Sequence, residues 1–254
     1  MTAPLPSLHQ LRALVASHDV RAVVSDLDGV LRVFDPDLWD RLDHHADVAP
    51  GATFAAILGH PFLEEVTRGR GTHAQWRERA EAELVAQGAV PRAARDTVSL
   101  WADTPARVDP EVLAQPRSFR DQGLGVFVLT NGTDRLPEEL EELGLTGLLG
   151  DRRRFLLNTA DLGAAKPERE AFARAHARIR AELGALHGDG FGDGFGDERR
   201  GELDAASAAP LAPGQVAFLD DSSGHVRAAE EFGWRAVLHR RGGGEALPPL
   251  ESGA

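Results

Sequence analysis

The chain has 254 residues, 42% of them apolar and 27% charged, with no cysteine and a formal net charge of −12; this is the composition of a globular protein able to bury one substantial core and a smaller second one. It excludes disulfides, a thiolate metal site and a cysteine nucleophile, and the negative charge argues against nucleic acid as a partner. No stretch approaches the roughly 18 uninterrupted apolar residues of a membrane span, so a soluble protein without membrane contact is expected.

At the N-terminus, Leu8, Leu11, Leu14 and Val15 recur at helical spacing around Arg12. There is no basic head followed by an apolar block, so the segment does not read as a secretion signal, and together with the absent cysteines this suits the cytoplasm. The first predicted strand runs from Arg21 to Ser25, and directly behind it stands Asp26-Leu27-Asp28-Gly29. Two carboxylates one residue apart thus emerge where a buried strand ends in a glycine turn. In open parallel sheets ligands bind outside the carboxyl ends of the strands. Acids placed there call for a cation or a proton, although a strand ending in acidic and glycine residues is also ordinary turn chemistry.

From Pro36 to Val108 no convincing strand appears. Thr72-His73-Ala74-Gln75 has capping-box spacing ahead of Trp76, Ala80 and Leu84, and Pro91 suits the first position of a further helix toward Trp101. The adjacent His44 and His45 do not share a helix face, and with no cysteine nearby zinc is not expected there. The second strand, Gly125 to Leu129, is followed by Thr130-Asn131-Gly132, where a hydroxyl and successive backbone N–H groups can cradle phosphate oxygens, or simply form an Asn-Gly turn. Asp134 to Leu143 reads as a helix closed by Gly144. The run Arg152-Arg153-Arg154 reads as a solvated face.

A third strand, Phe155 to Asn158, precedes Lys166-Pro167-Glu168, which is read as opening a helix through about Leu183. Lys166 can bring a compact positive charge toward the same crevice. The repeat Gly188-Asp189-Gly190-Phe191-Gly192-Asp193-Gly194-Phe195-Gly196-Asp197 has too many glycines for a stable helix, and its acids fall four apart rather than alternating as in a calcium loop. A flexible surface loop over residues 184–213 is expected. The fourth strand, Gln215 to Leu219, ends in Asp220-Asp221-Ser222, acids that can complete a hard-cation site or cap the helix from Gly224 to Phe232. Arg235 to His239 is the fifth strand.

Strands alternating with helices predict an α/β fold: a doubly wound, mostly parallel sheet with right-handed crossovers. Residues 1–35 and 109–254 form the expected core, and residues 36–108 an inserted helical domain.

Asp-x-Asp-Gly, a threonine after a hydrophobic strand, Lys-Pro-Glu, and Asp-Asp after another strand, in this order, resemble the haloacid dehalogenase superfamily, in its phosphatase-like form with a helical C1 cap. The resemblance covers nearly the whole chain. It implies a Rossmann-like core of strand order 3-2-1-4-5, and a cap that closes over the core and governs substrate choice, with His60, Arg68, Arg70 and Trp76 as candidates for substrate contact. It further implies Mg²⁺-dependent hydrolysis of a small phosphorylated metabolite through an aspartyl-phosphate. Asp26 would be the nucleophile and Asp28 the general acid and base. Thr130, Asn131 and Lys166 would hold the phosphoryl group. The metal would take Asp26, the Asp28 backbone carbonyl and one of Asp220 and Asp221, with Asp221 the direct ligand and Asp220 outer-shell. Haloacid dehalogenases lack an acid two residues after the nucleophile, since a departing halide needs no proton, so Asp28 disfavours dehalogenation. A phosphotransferase or phosphomutase sharing the intermediate, and a non-catalytic binding or regulatory protein of the same fold, remain as alternatives.

Overall fold

The computed structural model describes residues 5–188 and 210–241. Helix α1 (Pro6–Ser17) leads into β1 (Ala22–Ser25), and the two-residue β2 (Arg32–Val33) follows the acidic turn. Five helices come next: α2 (Leu38–Ala46), α3 (Ala52–Ile57), α4 (Phe62–Thr67), α5 (His73–Ala86) and α6 (Pro91–Ala102). The chain returns through β3 (Arg107–Val108), which pairs antiparallel with β2. Then come α7 (Pro110–Asp121), β4 (Gly125–Thr130), α8 (Leu136–Glu142), α9 (Thr146–Leu149), β5 (Leu156–Asn158), α10 (Thr159–Leu162) and α11 (Arg169–Gly188). After the undescribed residues, β6 (Val216–Asp220), α12 (Ser223–Phe232) and β7 (Arg235–Leu238) complete the order.

The five longer strands form one parallel sheet in the order β5-β4-β1-β6-β7, which is the expected 3-2-1-4-5 arrangement. Because side chains alternate across a strand, each central strand feeds two cores. Val23, Val126, Val128, Ala217 and Leu219 face Leu8, Leu11, Val112, Phe119, Leu136 and Leu140 on one side. On the other, Ala22, Val24, Phe127, Leu129, Val216 and Phe218 face Phe172, Ala175, Ile179, Leu183 and Ala229. The register sets Ser25 beside Val128 and Leu219. The segments that follow β1, β4 and β6 therefore leave the sheet side by side at its carboxyl edge.

The five inserted helices bury their own cluster, built on Ala56, Ile57, Val66, Trp76, Ala80, Leu84, Ala94 and Val98. The capping box of α5 forms as expected: Gln75 N–H donates to Thr72 Oγ1 at 3.2 Å and Thr72 N–H to Gln75 Oε1 at 3.0 Å.

Three expectations need correction. The interval to Val108 does end in a strand, but β3 is only Arg107–Val108, too short to show a period and formed by closing the insertion against β2. Helix α11 begins at Arg169 rather than near Pro167, because Asn131 fixes the Lys166 backbone in a turn, with a cis Lys166–Pro167 peptide, and Glu168 N–H bonds to the Ala165 carbonyl. The same helix continues to Gly188, past the expected loop start at Gly184. Its stripe Phe172, Ala175, Ile179 and Leu183, buried under the sheet, carries the helix through a residue of poor propensity. The Gly-Asp-Gly-Phe repeat beyond Gly188 lies outside the described residues. Among the described residues no helix is long and apolar enough to cross a membrane.

Phe172 is fully buried, with its ring centroid 5.9 Å from Phe218 and 5.3 Å from Trp234. Phe172→Ala should cost about 3–5 kcal/mol of unfolding free energy, checked by urea denaturation; a loss below about 1 kcal/mol would contradict this packing.

Candidate active site

The carboxyl ends of β1 and β6 carry the site. Asp26 continues β1, donating its N–H to the Leu219 carbonyl at 2.8 Å, which keeps its side chain in register with Asp220 at the end of β6. Lys166 reaches in between them: its Nζ lies 2.9 Å from Asp26 Oδ1 and 2.7 Å from Asp220 Oδ2. All three side chains are almost wholly buried, at 1% exposure for Lys166, 8% for Asp26 and 0% for Asp220. A charge stripped of water persists only if paired and hydrogen-bonded, and here one ammonium serves two carboxylates.

Asn131, which follows β4, places that ammonium. Its Nδ2 donates to the Lys166 carbonyl at 2.8 Å and its Oδ1 accepts from Lys166 N–H at 2.9 Å. One amide side chain thus matches the donor and acceptor of one backbone residue, and Asn131, expected to face phosphate, gives its side chain to the lysine turn. Thr130 is buried at the end of β4, paired in register with Asn158.

Asp220 is fully committed. Besides Lys166, it accepts from Ser222 N–H at 2.8 Å, and the His225 ring Nδ1 lies 3.1 Å from Oδ1 and 3.2 Å from Oδ2. Burial would raise its pKa, but Lys166 and His225 outweigh burial and hold the carboxyl well below its usual range. His225 was not foreseen in the sequence; the available signal was a histidine three residues past the helix-capping Ser222, whose hydroxyl accepts from His225 N–H at 3.4 Å. Burial, and Lys166 after it, depress its pKa.

Asp26 stands differently. Burial and then the neighbouring Asp220 push its pKa well above the carboxylate range in spite of Lys166. For Lys166, burial acts to lower the pKa, but Asp220 and Asp26 prevail and raise it. Asp221 is solvent-facing on one side and packs on the other against Gly29, where a Cβ would stand 1.9 Å from its Oδ2. Gly29 also has φ of +74°, so only glycine suits that turn. Burial of its packed side and then Asp220 push the Asp221 carboxyl up to about 6.

These acids outnumber the single buried ammonium. Among the described residues, the one grouping of three metal-capable side chains is Asp26, Asp220 and His225, with ligand atoms all within 4.8 Å of one another. Since Asp220 and His225 are bonded to each other, Asp26 and Asp221 are the carboxylates with capacity to spare. An excess of oxygen donors fits a hard divalent cation such as Mg²⁺.

Asp28 takes part in another contact that the sequence reading missed. Arg32 grips it as a fork, with Nε on Oδ1 at 2.5 Å and Nη2 on Oδ2 at 2.9 Å, while Nη1 bonds Glu139 at 2.6 Å. The four-residue spacing from Asp28 to Arg32 was the available signal; the turn between them, closed by the Gly29 N–H bond to the Arg32 carbonyl at 2.9 Å, brings the two together.

The four candidates on the inserted helices separate clearly. Trp76 is buried among those helices, donating Nε1–H to the Ile57 carbonyl at 2.8 Å. His60 Nδ1 accepts from Phe62 N–H at 3.0 Å, and the exposed Arg70 pairs with Glu65 at 2.7 Å. Arg68 instead crosses to the sheet domain and pairs with Glu168. His45 bonds Thr97 at 2.7 Å. In the basic run, Arg152 and Arg153 are exposed, whereas Arg154 pairs with Glu182 at 2.9 Å. A cavity of about 550 Å³ beside β5, lined by Arg152, Arg153, Asp161 and Arg178 among others, contains none of the Asp26 cluster.

A family model of haloacid dehalogenase-like hydrolases matches residues 20–233. No curated protein matches the sequence. Among solved structures, a HAD family enzyme from Bacteroides thetaiotaomicron in its magnesium complex is 15% identical, with a TM-score of 0.57 over 89% of this chain and 96% of that one. A predicted HAD-like family hydrolase from Porphyromonas gingivalis is 17% identical, with a TM-score of 0.54 over 89% and 94%. The L-2-haloacid dehalogenase from Xanthobacter autotrophicus, with chloropropionic acid covalently bound, is 19% identical, with a TM-score of 0.52 over 85% and 76%. At such identities the likeness establishes a shared fold.

The raised pKa of Asp221 gives a test on metal-free protein. A carboxyl near 6 when folded and about 3.9 when unfolded favours folding when protonated, so its charged form destabilises the fold above about pH 6 and ceases to matter below about pH 4. In EDTA, Asp221→Asn should raise the melting temperature at pH 7.5, and that gain should shrink as pH falls through 6. A gain independent of pH, or a loss at pH 7.5, would contradict the assignment.

Proposed function

Because the chain belongs to the haloacid dehalogenase-like hydrolases, we propose that it hydrolyses a small phosphomonoester, with Asp26 as nucleophile and Asp28 as general acid and base. The observation that carries this reading is the second acid itself: Asp28 stands two residues past Asp26, at the open mouth of the site with its side chain 44% exposed, where a leaving alcohol could take its proton. A departing halide would have no use for it.

In the first step the Asp26 carboxylate attacks phosphorus, the bond to the ester oxygen breaks, and Asp28 delivers a proton to the departing alcohol. Asp28, now a carboxylate, then takes a proton from water as that water attacks the phosphorus of the aspartyl-phosphate, releasing phosphate and restoring Asp26. Two obstacles face Asp26: it is a carboxylate approaching a phosphate anion, and its raised pKa opposes ionisation. Lys166 lowers both, and the Thr130 hydroxyl would bind a phosphoryl oxygen. Asp26, the Asp28 backbone carbonyl and Asp221 would hold Mg²⁺, which when bound supplies the further positive charge that this acid-rich site lacks. Asp220 and His225 keep Lys166 in place. Arg32 holds one bond to each Asp28 oxygen and fixes its orientation. The five inserted helices, as a cap over this edge of the sheet, would select the substrate and exclude water.

The reading is tested by phosphate release from a panel of p-nitrophenyl phosphate, sugar phosphates, phosphoglycolate and flavin mononucleotide, with Mg²⁺ and with EDTA, beside halide release from 2-haloacids. Metal-dependent phosphate release is expected; halide release without phosphate release would sink the proposal. Asp26→Asn should abolish turnover with the fold intact by circular dichroism. Asp28→Asn should lower kcat by about 10²- to 10⁴-fold, more for alkyl than for p-nitrophenyl leaving groups, and equal losses would argue against its role as acid.

A further inference from the structure

The lysine turn is held from two sides. From within the core, the Asn131 amide bonds both the N–H and the carbonyl of Lys166, at 2.9 and 2.8 Å. From the other side the contact comes from the inserted helices. Arg68, at the carboxyl end of α4, places Nε 2.6 Å and Nη2 2.5 Å from Glu168 Oε1, two residues beyond Lys166. Arg68 is itself fixed, since its Nη1 donates to the Glu64 carbonyl at 2.8 Å and to Glu64 Oε2 at 3.1 Å, a favourable place for a cation at a helix carboxyl end. With 20% exposure for Arg68 and 36% for Glu168, the pair is partly shielded from solvent, unlike the exposed Arg70–Glu65 pair next to it.

The backbone next to Arg68 is shaped for the same approach. Gly69 has φ of +72°, and a Cβ there would stand 2.3 Å from the Ala160 carbonyl oxygen of α10. Glycine thus lets the end of α4 press against the segment that leads into the lysine turn. A second crossing, His73 N–H to Asp134 Oδ1 at 2.7 Å, ties the start of α5 to the loop after β4 that carries Asn131. The inserted helices therefore touch the sheet domain on the two loops that supply and position Lys166.

We infer that Arg68 is a positioning residue, which through Glu168 fixes the turn that sets the Lys166 ammonium between Asp26 and Asp220. This rests on the proposed phosphohydrolase reading for its kinetic consequence, though not for its structural one. The inserted helices thus contribute to the placement of the buried cation, not only to a covering surface. Arg68, a candidate for substrate contact by sequence, acts through the protein instead.

The test compares Arg68→Ala, Glu168→Gln and the charge-swapped pair Arg68→Glu with Glu168→Arg against the whole wild-type chain, with Arg92→Ala, which removes an exposed ion pair within α6, as the control. On p-nitrophenyl phosphate with Mg²⁺, each single variant should lose about tenfold or more in kcat with KM changed less than about threefold. The swap should recover most of that loss, and Arg92→Ala should match wild type. Hydrogen exchange over the peptide carrying Ala165–Glu168 should speed up in both single variants and slow again in the swap. Wild-type kcat in both single variants, or a swap no better than either, would overturn the inference. If the wild type proves silent on phosphomonoesters, the functional reading fails separately and exchange alone decides: unchanged protection at Ala165–Glu168 in Arg68→Ala would overturn the inference, and lost protection would support it.

Discussion

The buried contact of Lys166 with Asp26 and Asp220 is the constraint from which the rest of the site follows. An ammonium at 1% exposure, with carboxylates at 2.9 and 2.7 Å, is tolerable only while both partners stay in place. Removing one member of such a group leaves an uncompensated buried charge, at a cost of about 3–5 kcal/mol. The ends of β1 and β6 and the turn before α11 are therefore locked to one another. The carboxylates are brought to this point by the parallel register, which sets Ser25 against Leu219 and so sends Asp26 and Asp220 off adjacent strands together.

The two carboxylates sharing the ammonium are not equivalent. Asp220 receives the lysine, the Ser222 N–H and the His225 ring, and so remains a carboxylate. Asp26 receives Lys166 and the Leu27 N–H, at 2.7 Å from its Oδ1, and burial drives its pKa up. In the proposed reading, such a division, in which one acid is saturated and its neighbour left under-compensated, separates a structural group from the nucleophile. Asp221, crowded against Gly29, adds a further negative charge at the rim. A hard cation there would relieve Asp26 and Asp221 together, which ties metal binding to the ionisation of the proposed nucleophile.

The inserted helices form a hydrophobic cluster of their own, yet they are not independent of the chemistry. Arg32 lies where the chain leaves the sheet for the insertion, and it connects Asp28 with Glu139 of α8. Arg68 and His73 reach back to Glu168 and Asp134. The Arg68 and His73 crossings each land on a loop that also bears a site residue. Displacing these helices would thus disturb the turn that places Lys166.

Much of this protein was legible in its sequence. The five apolar runs, the punctuation by Gly144, the capping box at Thr72 and the order of Asp26, Thr130, Lys166 and Asp220 all depend on local patterns, because alternation, caps and turn chemistry act over a few residues. Parallel strands joined by helices then carry the strand ends to one edge, so a linear order of motifs already implied a site. Tertiary structure alone decided which neighbours those residues take: the Asn131 amide on the Lys166 backbone, the His225 ring on Asp220, the Arg32 fork on Asp28, and the Arg68 bond to Glu168 one hundred residues away. Side-chain pairing across such separations depends on the register and packing of elements that no local pattern encodes, and burial, which sets the pKa of Asp26 apart from that of Asp220, exists only once those elements have closed around it.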